Sequence, residues 1–100
     1  MSLSKNQAIT LDALAVHGGE LCGLDLAEII GSLARSSVYA ALSALQRDGL
    51  VDARWDMSES HPRRMVTISE QGLKALSASR LELRAAKTRA RNMRRASAEV

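Results

Sequence analysis

The sequence predicts a mainly α-helical domain that carries one small β-hairpin, an α+β fold. Three observations predict it. Apolar residues recur at helical spacing in four segments. Between the third and fourth lie two short strand-like stretches joined by a polar tip. Glycines stand at Gly18, Gly31 and Gly49, just past the first three helical segments, where a left-handed residue closes a helix.

The first helix is expected from Ser4 to Gly18. Ser4 can cap it, and Gln7 three residues on completes a capping box. Ile9, Ala13 and Val16 form an apolar line that Leu11, Leu14 and Ala15 widen, which implies burial on two sides. A second, short helix is expected over Leu24 to Ile30, with Leu26, Ala27 and Ile30 inward and Asp25 and Glu28 in water. The third runs from about Ala34 to Asp48, with Val38, Ala41, Leu42 and Leu45 at i, i+3, i+4 and i+7. Its opposite face carries Arg35, Ser36, Tyr39, Ser43 and Arg47, with no acidic residue before Asp48.

Two strands follow, Leu50 to Trp55 and Arg64 to Ile68, around a polar tip too long for a two-residue turn. Ser69 caps the last helix, and Glu70 suits its positive end. Leu73, Leu76 and Leu83 share one stripe, but Arg80, Lys87 and Arg94 interrupt it. Helical composition continues from Gln71 to about Ala98 without proline, so the helix is expected firm to about Ala86 and frayed beyond.

One hundred residues make one domain. A chain of this size buries only about 60–65% of its unfolded surface, so its core is thin. With one Trp, one Tyr and no Phe, that core is aliphatic. Dimerisation would add buried area, and the apolar stripe suggests a seam through Leu11, Leu73, Leu76 and Leu83. Charge is uneven: residues 1–79 carry a net −2 and residues 80–100 a net +5. The basic run from Arg84 to Arg95 reads as a solvated helix face, as a phosphate grip, or as part of a dimer helix.

The lone cysteine, Cys22, fits a reducing compartment and reads as a small buried residue rather than a redox sensor. No apolar run reaches the roughly 18 residues of a membrane span. With no leader pattern at the start, the expectation is a soluble, cytoplasmic protein. His17, His61 and Cys22 lack metal-ligand spacing, and no nucleophile–base pair, phosphate loop or paired carboxylates stand out. Neither an enzyme nor a cofactor or metal is expected. Trp55 reads as a core or interface residue rather than a ligand platform.

Helix, helix, helix, hairpin, helix is the layout of a winged helix-turn-helix, with the third helix in the DNA major groove and the hairpin on the backbone or minor groove. The side chains suit that partner. Arg35 can read guanine or grip phosphate, Ser36 and Ser37 can donate to either, and Tyr39 can reach a phosphate. Ala40 and Ser43 are small enough to let the helix sit deep in the groove. His61, Arg63 and Arg64 belong to the wing. The expected unit is residues 1–76 for DNA binding, followed by a basic helical extension over 77–100 for dimerisation.

The runs GGELCGLDLAEII, LARSSVYAALSALQRDGLVDARW and HPRRMVTISEQGLKAL resemble the PadR family of bacterial transcriptional regulators across about residues 8–76. The resemblance rests on Ser37-Val38-Tyr39 with Ala41-Leu42, on Asp48-Gly49-Leu50-Val51 leading to Arg54-Trp55, and on Arg63-Arg64 before Thr67-Ile68-Ser69 and Gly72. It departs at Met65 and Val66, where the family usually carries aromatics, and at Ala40, often Pro or Arg there. The resemblance implies a homodimeric repressor of double-stranded operator DNA, released in some members by a small-molecule effector. An architectural DNA-binder and a protein-interaction module are the competing functions.

Overall fold

Two capping serines bracket the architecture of the computed structural model, which describes residues 3–98. The side chains of Arg94 and Arg95, at the end of the basic run, lie outside the described residues. Ser4 opens α1 (Lys5–His17) with the expected capping box: its hydroxyl accepts from the Gln7 amide at 3.2 Å, and its amide donates to the Gln7 side chain at 2.9 Å. The chain continues through β1 (Leu21–Cys22), α2 (Gly23–Ile30), α3 (Arg35–Arg47), β2 (Val51–Asp56), β3 (Arg63–Ile68) and α4 (Glu70–Ala98).

The hairpin is part of a larger sheet than expected. A third strand, β1, pairs antiparallel with β3, giving the order β1-β3-β2. Leu21 stands opposite Val66, which stands opposite Ala53. Strand alternation sends that row and Val51 toward the helices, where Leu21, Val66 and Val51 are buried. Leu11, Leu14, Leu26, Val38, Leu42, Leu45 and Leu76 complete one aliphatic core.

α1 buries a different line from the expected one. Thr10, Leu11 and Leu14 face the core, whereas Val16 is 76% exposed and Ile9 and Ala13 are half-buried. Apolar residues surround this helix, so spacing alone does not select the face that α2, α3 and α4 cover. α2 and α3 bury the faces that their periodicity predicts.

Ser69 joins the sheet to the last helix. Its hydroxyl accepts from the Gly72 amide at 3.0 Å and donates to the Gly49 carbonyl at 2.7 Å. Gly72 allows this approach, because a Cβ there would lie 2.1 Å from the Leu50 carbonyl oxygen. α4 runs to Ala98, where its proline-free helical composition predicts its end. At about 1.5 Å per residue such a helix outruns the body. The protein accordingly measures 67 × 25 × 20 Å. Every residue from Arg80 to Met93 is exposed.

Candidate nucleic-acid interface

α3 leaves a row of small and basic side chains in water because its other face is spent on the core. Arg35, Ser36, Tyr39, Ala40 and Ser43 are exposed, and Ser37 is half-buried. Ser37 and Ala40 border a shallow hollow with Ser4, Asn6 and Gln7 at the start of α1. Ala34 holds the N-cap of α3 and offers no side-chain acceptor. The leading amides of the helix are therefore left for an outside anion.

Tyr39 bridges this row to the wing. Its ring lies over Gly23, at the start of α2, so closely that a Cβ there would sit 2.5 Å from the ring. Tyr39, Leu42, Ser43 and Arg64 line a cavity of about 90 Å³ between α3 and β3. A neighbouring hollow of about 250 Å³ collects Tyr39, Arg63 and Arg64 beside Cys22, Gly23 and Leu24. The fold thus brings Tyr39 and Ser43 of α3 together with the two wing arginines. His61 stays exposed in the loop between β2 and β3 and joins neither hollow.

The two arginines differ in how their charge is engaged. Arg63 stands opposite Asp56 in the strand register and lies 3.5 Å from Glu59. Arg64 stands opposite Trp55, on the helix-facing side of the sheet, and like Arg35 makes no ion pair among the described residues. Ser58 donates its hydroxyl and its amide to Asp56, which holds that carboxyl below its usual range.

Sequence reasoning missed two features. Glu20 and Arg54 form a bidentate pair at 2.5 and 2.7 Å, across 34 positions of sequence. The Arg54 hydrogen bond holds the Glu20 carboxyl below its usual range, and Glu20 raises Arg54 in turn. Only the strand register signals this pair. Trp55, read as a core or interface residue, is not in the core: it is 63% exposed on the wing, because its side chain lies beyond the rows that the helices cover. Cys22 is buried, as its apolar reading requires.

The expected dimer residues divide. Leu11 is fully buried and Leu76 is 4% exposed, both in the core of their own chain, so neither is free to meet a partner. Leu73 and Leu83 are exposed. Leu83 lines an open groove of about 590 Å³ between α4 and the start of α1, with Leu3, Ala8 and Ile9. No group of three metal-ligating side chains occurs among the described residues, and no described helix is long and apolar enough to cross a membrane.

Comparison with known proteins places this geometry. The profile of the transcriptional regulator PadR-like family matches residues 11–78. A PadR family transcription regulator from Clostridium difficile superposes with a TM-score of 0.77 at 16% identity, covering 90% of this chain and 98% of the other. Bacillus subtilis PadR, in complex with operator DNA, superposes with a TM-score of 0.67 at 20% identity. That match covers 76% of this chain and 46% of the Bacillus chain, so this chain spans under half of its length. The PcaV transcriptional regulator of Streptomyces coelicolor, in complex with its natural ligand, gives 0.68 at 30% identity over 84% of this chain and 56% of that one. Among curated proteins no sequence matches. With four helices and a small antiparallel sheet among the described residues, and a profile match over most of its length, the chain belongs to the PadR-like family: it is a winged-helix, DNA-binding transcriptional regulator.

Proposed function

We propose that the protein is a homodimeric repressor that recognises a specific double-stranded operator and acts by binding, without catalysis, on the cytoplasmic nucleoid. One observation carries this reading: the exposed face of α3 and the arginines of β3 converge on Tyr39, and Arg35 and Arg64 hold no ion pair among the described residues. α3 enters the major groove, where Arg35 and Ser36 read base edges and Ser37 works at the rim beside α1. Ala40 and Ser43 let the helix approach closely. Tyr39, Arg63 and Arg64 hold phosphates, and His61 follows the wing along the backbone. Two copies side by side would read half-sites about 10 base pairs, or about 34 Å, apart. Exposed Leu73, together with Leu83 and the groove that Leu83 lines, is what this chain offers a second copy. Release by a small-molecule effector is proposed from the ligand complex of Streptomyces coelicolor PcaV.

The test is selection of bound duplexes from a random-sequence library at near-physiological salt. An enriched inverted repeat is expected. DNA recovered without a motif would favour an architectural binder, a reading to which the exposed basic half of α4 lends weight. Recovery of nothing would favour a protein-interaction module.

A further inference from the structure

The Glu20–Arg54 pair lies outside the DNA-facing cluster, and its position in the sheet gives it a task. Glu20 immediately precedes β1 at one edge of the sheet, and Arg54 belongs to β2 at the other. β3 runs between them, and Arg54 stands opposite Met65, which stands opposite Cys22. Alternation puts Arg54 on the sheet face turned away from Val66 and Ala53, hence away from the helices. Arg54 donates from Nε and Nη2 to both carboxylate oxygens of Glu20 at 2.5 and 2.7 Å, so the pair spans the full width of the sheet over β3.

An isolated exposed ion pair has little effect, but a bidentate one between anchored strands fixes direction as well as distance. This pair joins the sheet at a weak point. β1 has two residues and two registered partners, so it holds β3 only through Val66 and Met65. The next two rows of the hairpin, Trp55–Arg64 and Asp56–Arg63, carry the arginines of the interface. A small change of wing angle at Arg54 therefore moves both.

We propose that Glu20 and Arg54 are positioning residues: their bridge sets the angle between the wing and α3 so that Arg63 and Arg64 meet the DNA backbone, and Arg54 itself holds no phosphate. The proposal rests on the DNA-binding reading given above. Its alternative is that Arg54 is a phosphate contact which Glu20 masks. The two make opposite statements about Glu20.

Three full-length variants separate them: Glu20→Ala, Arg54→Gln, and the exchange Glu20→Arg with Arg54→Glu. DNA affinity is measured against salt on the duplex that the wild type selects. Trp55, the only tryptophan, neighbours Arg54, so its fluorescence anisotropy decay reports wing motion without DNA. Positioning predicts that each single variant binds about two- to fivefold more weakly with an unchanged salt slope, and that the exchange restores affinity. It also predicts a larger fast component of Trp55 depolarisation in both single variants, reversed in the exchange. Tighter binding and a steeper salt slope in Glu20→Ala would overturn it in favour of masking. Unchanged affinity and unchanged Trp55 motion in that variant would overturn it outright. If the wild type selects no DNA, the functional reading fails, while the Trp55 decays still decide whether the bridge sets the wing.

Discussion

Arg63 and Arg64 are adjacent and chemically identical, yet the strand register gives them different work. Arg63 shares its charge with Glu59 at 3.5 Å, whereas Arg64 turns toward α3 without an ion pair among the described residues. Arg64→Ala is therefore expected to weaken binding to every sequence evenly and to lower the salt slope by about 1. Arg63→Ala should do less of both. Arg35→Ala should behave differently again, costing about 1–3 kcal/mol on the preferred site and relaxing base preference at one position. Titrations across salt on matched and mismatched duplexes check all three, and an even loss from Arg35→Ala would remove it from base reading. The types and order of these residues were legible in the sequence. The pairing of Arg63 was not, because it depends on how the loop folds back. Nor was Thr10 legible: its hydroxyl is fully buried and without a partner among the described residues, an arrangement that an apolar-spacing argument passes over. Thr10→Val keeps the shape and removes the orphaned hydroxyl. A gain of about 1 kcal/mol is expected, or roughly 4–8 °C in Tm, and calorimetry that shows a loss would mean the hydroxyl is satisfied in solution.

At the scale of elements, local rules were legible and pairings were not. The capping box at Ser4 and the cap at Ser69 are written in neighbouring residues, and both are found. The inward faces of α2 and α3 follow from their spacing because polar residues clearly mark the opposite side. α1 carries apolar residues all round, and only its packing partners choose the face. β1 was invisible because two residues show no period, and the partner that makes them a strand lies more than forty positions away, in β3. The extent of α4 to Ala98 was legible in its composition, although its apolar seam fades after Ala86. The helix continues because Ala, Arg, Lys and Leu are strong helix formers and no proline or glycine follows Gly72. Ser69 joins two of these elements. Its hydroxyl bonds the Gly72 amide and the Gly49 carbonyl, so Ser69→Ala releases both the start of α4 and the turn after α3. A loss of about 1–2 kcal/mol in chemical denaturation is expected, at the upper end for a cap. A loss within error would show that the two bonds exchange freely with water.

On the scale of the whole molecule, the question is which apolar surface remains once the protomer has built its own core. Leu11 and Leu76 are spent there, while Leu73, Leu81, Leu83 and Met93 stay exposed along α4. The groove beside Leu83 opens between α4 and the first turns of α1, where Arg80 is also tied to Asp12. Farther along, Arg84, Lys87, Arg89 and Arg91 present only positive charge. Side-by-side contact of two such stretches would set like charges together, within the reach of about 10 Å over which charges act at 0.1 M salt. The proposed dimer seam is accordingly confined to the nearer half of α4 and the start of α1, leaving the basic half for a polyanion. Two substitutions separate core from seam. Leu11→Ala should cost about 2–5 kcal/mol of stability, since it empties a fully buried site. Leu83→Glu should leave the far-UV spectrum intact, because the side chain it replaces is 57% exposed, and should halve the mass by light scattering. A wild-type protein that is already monomeric at micromolar concentration would overturn the dimer. A Leu83→Glu variant that keeps the dimeric mass would move the seam away from this groove.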